Sequence, residues 1–215
     1  MTDKFISNAV IARLPRYYRY LRVLDEANVE RISSSELSRI MNVTASQIRQ
    51  DLNTFGGFGQ QGYGYNVKYL LAEIKKILNV DCTHNMVIIG AGNMARSFVH
   101  YRGFTDSGFK PVGIFDNDPI LKGSRLHSIP IMMMDELKEF AATNSVDIAI
   151  LTVPSESAVE AAQSVIDAGI KGIWNFTKED LELSDQLSVP KDVHIQNVHL
   201  IDSLMQLSFM LTENN

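Results

Sequence analysis

The chain contains one cysteine, Cys82, so no disulfide can close within it. No apolar run approaches the roughly 20 residues that cross a bilayer. The opening Met1-Thr2-Asp3-Lys4 lacks the basic and then apolar layout of a secretory leader. These absences lead us to expect a cytoplasmic protein that does not associate with membranes. Metal and catalytic equipment is little evident as well. The histidines, His84, His100, His127, His194 and His199, show no metal-ligand spacing, and no Ser/His/Asp or Cys/His set can be picked out. A surplus of positive charge is also absent. The net charge of −5 argues against a protein that coats nucleic acid without regard to sequence.

That average hides a split. Residues 1–80 hold eleven Lys/Arg against seven Asp/Glu, or +4, whereas the remaining 135 residues hold nine against eighteen, or −9. With 215 residues, 45% of them apolar, there is material for two modules with a core each. The expected division is one domain over 1–80, a second over 81–195 and a terminal helix over 196–215.

In the basic part, Pro15 reads as a first-turn proline opening a helix with Tyr17, Tyr20, Leu21 and Leu24 at core spacing. Arg16, Arg19 and Arg22 recur every three residues on its surface, as a solvated face, as phosphate contacts or as salt-bridge donors. Two short helices follow, with capping patterns Ser33-x-x-Glu36 and Thr44-x-x-Gln47 and a tight Met41-Asn42-Val43 connection. The first is expected to bury Leu37, Ile40 and Met41. The second places Ala45, Ile48, Leu52 and Phe55 on one face and Ser46, Gln47, Arg49, Gln50 and Asn53 on the other. Arg, Gln and Asn side chains make paired hydrogen bonds to base edges, so this pair of helices suits a helix-turn-helix whose second helix enters the major groove. A small three-helix protein-interaction module is the bland alternative. The segment from Gly56 to Tyr65 has five glycines and exposes Tyr63 and Tyr65, which reads as a two-stranded wing on the DNA backbone or, alternatively, as a linker.

In the acidic part, Met86-Val87-Ile88-Ile89 runs into Gly90-Ala91-Gly92-Asn93-Met94-Ala95 and then a helical pattern. This is the strand, tight turn and helix of a dinucleotide fingerprint, with the pyrophosphate expected at the helix N-terminus. A second strand ends at Asp116, placed to accept hydrogen bonds from a ribose hydroxyl and to repel a 2′-phosphate, which favours NAD(H) over NADP(H). Further strands over Ile148–Val153 and Gly172–Phe176, with a helix over Ser157–Ala168 between them, imply a doubly wound parallel sheet. Thr152, Pro154, Asn175 and Phe176 then fall at carboxyl ends of strands, where such sheets bind ligands. Ordinary turn chemistry is the alternative for these loops. Coenzyme A is a competing ligand class on this spacing. A dehydrogenase would need a substrate-binding region for which few residues remain. The final segment, Leu200 to Leu211, is apolar around most of a helix circumference, and favours a dimer interface, with helices exchanged between subunits as one arrangement. Asp202, the lone acid in it, would be costly there without a partner.

Taken together, the chain resembles the Rex family of redox-sensing transcriptional repressors. The resemblance rests on Ala12-Arg13-Leu14-Pro15-x-Tyr17-x-Arg19, Ser46 to Leu52, Phe55 to Tyr65, the Gly90 fingerprint, Phe115-Asp116-x-Asp118-Pro119, Thr152-Val153-Pro154, Asn175-Phe176 and the final helix. It implies a homodimer with an N-terminal winged helix and a C-terminal Rossmann domain that binds NADH and NAD⁺, released from operator DNA when NADH binds. It further implies that Arg13, Thr44, Ser46, Gln47, Arg49, Gln50, Asn53, Gly62, Tyr63 and Tyr65 serve DNA binding. Arg16, Tyr101, Asp202 and Phe209 would belong to the switch and interface. Two positions depart from the family pattern: Gln50 stands where lysine is usual, implying altered operator preference, and Ala95 where glycine is usual, implying a changed helix approach and weaker cofactor binding. The competing readings are a small NAD-dependent oxidoreductase and a coenzyme A-responsive regulator.

Overall fold

Apolar spacing and helix caps lay out the first of two units, Met1–Cys82 and Thr83–Asn215, in a computed structural model that describes residues 6–60 and 63–212. Helix α1 (Asn8–Glu26) starts before Pro15, which lies inside it. The proline removes one helical N–H, but the carbonyl it strands belongs to Ile11, an exposed residue where water can take the bond. Helix α2 (Ser34–Met41) carries the complete capping box, with the Glu36 N–H donating to Ser33 Oγ and the Ser33 N–H donating to the Glu36 carboxylate. It buries Leu37 and Met41, one turn apart. Ile40, one residue round the helix from Met41, stays 40% exposed instead of joining the core. Asn42 closes the helix in the left-handed conformation (φ 51°) that makes the turn tight.

Helix α3 (Ala45–Phe55) has half of its expected box. Thr44 Oγ1 accepts from the Gln47 N–H at 3.1 Å, but the Gln47 amide turns to Asp51. Strands β1 (Arg31–Ile32), β2 (Gly59–Gln60) and β3 (Gly64–Asn66) form an antiparallel sheet in the order β1-β3-β2, one strand more than the expected wing. Helix α4 (Val67–Ile77) follows, capped by Asn66. Leu14, Tyr17, Leu21, Leu37, Ile48 and Leu52 centre a core to which Leu70 and Ile74 of α4 belong.

The second unit is the doubly wound sheet. Strands β4 (His84–Ile89), β5 (Phe109–Asp116), β6 (Arg125–Leu126), β7 (Ile129–Met133), β8 (Val146–Leu151), β9 (Gly172–Asn175) and β10 (His194–Asn197) pair in the order β10-β9-β8-β4-β5-β7-β6. All pairings are parallel except the antiparallel edge strand β6 on β7. Helices α5 (Asn93–His100), α6 (Leu137–Asn144) and α7 (Ala158–Asp167) supply the layers. In β4, Val87 and Ile89 face one core with Leu137, Ala161 and Val165 of α6 and α7, while Met86 and Ile88 face another with Ala95 of α5. Burial on both faces explains the unbroken apolar run that marks this strand in the sequence. The chain reverses strand order between β8, β4 and β5, and the carboxyl ends there flank a crevice. Helix α8 (Leu200–Thr212) closes the described chain with no buried residue.

Candidate cofactor cleft and nucleic-acid interface

The cleft is built from the end of β4. Gly90 adopts φ +98°, and a Cβ there would stand 3.1 Å from the Thr152 backbone, so only glycine fits on both counts. Thr152 Oγ1 shares its proton between the carbonyls of Ile89 (2.9 Å) and Gly90 (3.0 Å), locking the glycine turn to the loop after β8. Gly92 is the N-cap of α5, where no side chain caps the helix. A Cβ on Gly92 would meet nothing within 4 Å, so open space lies over the first turn. A bare helix N-terminus beside open space suits an anionic group such as a pyrophosphate.

Asp116 sits opposite. Its Oδ2 accepts from the Ala91 N–H at 2.7 Å and its Oδ1 from the Asp118 N–H at 2.9 Å. The carboxylate therefore orients the fingerprint loop and still has lone pairs for ribose hydroxyls. The cleft encloses about 540 Å³, bounded by these groups, by Val153, Pro154 and Ser157 and by the Glu160, Ala161 and Ser164 face of α7. Its described lining includes Asp116 and Glu160 but neither Lys nor Arg, which disfavours a phosphate on the adenosine sugar.

Other expected cofactor residues fall elsewhere. Ala95 is fully buried between α5 and the sheet beside Met86, Ile88 and Ile114, so its methyl fills the helix contact and stays out of the cleft. Asn93 and Met94 do not line the cleft either. Asn175 spends its whole side-chain amide within the fold. It donates to Glu179 O (2.7 Å) and Asn197 Oδ1 (2.8 Å), and accepts from Thr177 N (3.0 Å) and Oγ1 (2.8 Å). With all four bonding positions used, it ties β9 to β10. Phe176 joins Phe98 and Trp174, with ring centroids 4.9 and 4.5 Å away, on the α5 face of the sheet.

On the first unit, Ser46, Arg49, Gln50 and Asn53 lie exposed on α3. The Arg49 guanidinium donates to Ser34 Oγ at 2.9 Å and Ser46 Oγ at 3.2 Å, which holds it across the outer surface. Thr44 is occupied as the cap. Arg13 and Gln47 turn inward to Asp51, a buried acid that was not among the expected site residues. Its signal was available: a carboxylate between Ile48 and Leu52 on the apolar face. Tyr65, expected to face DNA, packs in the core with only 6% exposure, and a Cβ on Gly59 would come within 2.8 Å of its ring. Tyr63 is 70% exposed under the Arg31 guanidinium, 5.9 Å from its ring centroid. Gly62 lies outside the described residues. Arg16 Nη2 donates to Met41 O at 2.6 Å, satisfying the carboxyl end of α2.

The Asp51 cluster sets a pH range. Burial raises the Asp51 carboxyl, but the hydrogen bonds from Arg13, Gln47 and Tyr17 outweigh it and leave the group below its ordinary 3.8. Burial and then the Asp51 bond push the Tyr17 phenol above its ordinary 10.0. The depressed acid stabilises the fold fully above pH 3.8, and this is lost as pH falls through the lower folded value. The raised phenol stabilises it fully below pH 10, and this is lost as pH rises through the higher folded value. Asp51→Asn is therefore expected to flatten the acid limb of first-unit unfolding. Near-ultraviolet dichroism of the tyrosines, six of seven being in that unit, checks it, while the single Trp174 reports the other unit.

Two apolar surfaces remain. A groove of about 480 Å³ opens on the second unit beside Tyr101, Phe104, Phe109, Ile148, Trp174 and Gln196. Tyr101 is 60% exposed and packs edge-on against Phe104. Along α8, Leu200, Ile201, Leu204, Met205, Leu207, Phe209, Met210 and Leu211 are each at least 53% exposed. No described helix is long and apolar enough to cross a membrane.

Comparison with known proteins agrees with this layout. Residues 5–53 match the family described as "Putative DNA-binding protein N-terminus" and residues 81–179 that described as "CoA binding domain". The redox-sensing transcriptional repressor Rex of Caldicellulosiruptor saccharolyticus is 50% identical over 210 residues, covering 98% of this chain and 93% of its own. That of Clostridioides difficile is 48% identical over 211 residues, covering 98% of each. Among solved structures, RSP in complex with β-NAD⁺ and operator DNA is 50% identical with a TM-score of 0.90, covering 99% of this chain and 95% of its own. RSP in complex with β-NADH is 47% identical with a TM-score of 0.87, covering 99% and 97%. With a winged unit ahead of a glycine-turn cleft, and half of its residues shared with these repressors along almost its entire length, the chain belongs to the Rex family of redox-sensing transcriptional repressors.

Proposed function

We propose that this chain represses transcription as a cytoplasmic homodimer that binds operator DNA and is released when NADH occupies the second unit. The observation that carries this is the open space over Gly92 facing Asp116, in a chain whose other unit presents Arg49, Gln50 and Asn53 on an exposed helix face. NAD⁺ and NADH differ at the nicotinamide, which is cationic in one and neutral in the other. Gly90 and Gly92 would let the backbone approach the pyrophosphate, Asp116 would hold a ribose, and the cleft residues Thr152 and Pro154 would border the dinucleotide. The apolar Val153 and Pro154 of the cleft wall would exclude water from the nicotinamide end and so favour the neutral ring.

In the dimer, α8 would cover apolar surface of the partner. Phe209 would be buried there, and Asp202, exposed and without an ion-pair partner among the described residues of its unit, would be available to Tyr101 or Arg16. A hundredfold change in operator affinity corresponds to about 2.8 kcal/mol of coupling. On the DNA side, Ser46, Arg49, Gln50 and Asn53 would read the major groove, with Arg13, Gly62 and Tyr63 toward the backbone. Arg49→Ala is expected to cost about 1–3 kcal/mol of operator affinity and to relax base preference at its contact, measured by fluorescence anisotropy on operator variants.

Ligand class is tested by thermal unfolding followed at Trp174. NADH and NAD⁺ are expected to raise the midpoint and coenzyme A to leave it unchanged. The match to a CoA-binding family makes coenzyme A the second reading, and stabilisation by it without any from NADH would favour that reading.

A further inference from the structure

The recognition helix carries a fully buried carboxylate that the functions above leave unused. Asp51 Oδ2 accepts from Arg13 Nε at 2.7 Å and Tyr17 OH at 2.9 Å, and Oδ1 accepts from Arg13 Nη2 and Gln47 Nε2 at 2.8 Å each. Arg13 and Tyr17 belong to α1 and Gln47 to α3, so one carboxylate joins two helices. The Arg13 contact is bidentate, which sets the plane as well as the position of the guanidinium. Asp51 itself is 0% exposed, whereas the Arg13 side chain keeps 22% exposure. Asp51 engages Nε and Nη2, and no described residue accepts from Nη1, whose donors are open to a further partner.

An apolar pair of similar volume could hold two helices together at least as well, because removing charges from water opposes their attraction. Holding a cation at a fixed angle is something an apolar pair cannot do. Gln47, in the first turn of α3, is tied to the same carboxylate, and that end of a recognition helix is the one directed at the duplex. We propose that Asp51 is a positioning residue for operator binding: it fixes the Arg13 guanidinium so that its free Nη1 edge donates to a DNA backbone phosphate. The proposal rests on α3 being the recognition helix.

The test compares Asp51→Asn, Arg13→Ala, their double variant and Arg13→Lys in the full-length dimer. Operator affinity is measured by anisotropy across a salt series, with dichroism and NADH affinity recorded for each. Asp51→Asn and Arg13→Ala are each expected to weaken operator binding about tenfold and to reduce the log–log salt slope by about one. In the Arg13→Ala background, Asp51→Asn is expected to cost nothing further. Arg13→Lys keeps a cation beside Asp51 but loses the planar fork, so it is expected to retain the fold and still bind weakly. NADH affinity stays unchanged throughout. An Arg13→Lys protein with parental affinity and salt slope would overturn the proposal, even if the other variants fail to fold. Additive losses in the double variant would overturn it too. Failure of the underlying reading is separate: Arg49→Ala would then leave operator binding untouched.

Discussion

Gly92→Val is expected to lower NADH affinity by at least about a hundredfold and leave operator binding intact, giving a repressor that stays on DNA however much NADH is present. Gly92 has φ −72°, which valine tolerates, and nothing stands within 4 Å of where its Cβ would be. The added side chain therefore extends into the space over the α5 N-terminus without disturbing the protein around it. A hundredfold loss is about 2.8 kcal/mol, within reach when a side chain displaces a pyrophosphate from N–H donors. Gly90→Val makes the contrast. With φ +98° and the Thr152 backbone 3.1 Å from the new Cβ, it is expected to destabilise the second unit itself. Titration calorimetry for NADH and thermal unfolding at Trp174 separate the two variants. Unchanged NADH affinity in Gly92→Val would remove the pyrophosphate from this position.

Ending the chain at Val198 is expected to yield monomers and to lower operator affinity by about 10²–10⁴, the usual loss when two linked contacts become independent. Helix α8 has no buried residue, so its removal leaves the core of its own unit complete. Its eight large apolar side chains, Leu200 to Leu211, are exposed in the single chain. At about 1.5–3 kcal/mol for each one buried, covering them is worth on the order of 10 kcal/mol before the entropic cost of association. Sedimentation velocity reads the assembly directly. A truncated chain that remained dimeric would place the interface elsewhere.

What could be read from the sequence was whatever local chain geometry controls. The glycine turn, the strand before it and the acid at the end of β5 have fixed spacing, because a strand must deliver each to the same sheet edge. A full capping box marks α2 and the Thr44 cap marks α3 for the same reason. Side-chain surroundings were not legible where tertiary partners decide. Tyr65 and Asn175 carry groups suited to ligands, yet one is packed in a core and the other has its amide fully engaged. Gln47 was read on the outer face of α3 because the helical pattern shows direction but not reach, and its amide reaches back to Asp51, the carboxylate that also holds Arg13. Strands β6, β7 and β10 escaped notice because they run only two to five residues, too short for a periodic signal. Pro15 misplaced the start of α1, since a proline on an exposed helix face is tolerated mid-helix as well as in the first turn. At Ala95 the methyl is buried within the helix–sheet contact.

The central claim is that one chain couples cofactor redox state to DNA. Titrating a preformed operator complex with NADH and, separately, with NAD⁺ at constant salt tests it most directly. NADH is expected to release the DNA at concentrations where NAD⁺ leaves it bound. Equal effects of the two, or none from either, would contradict it.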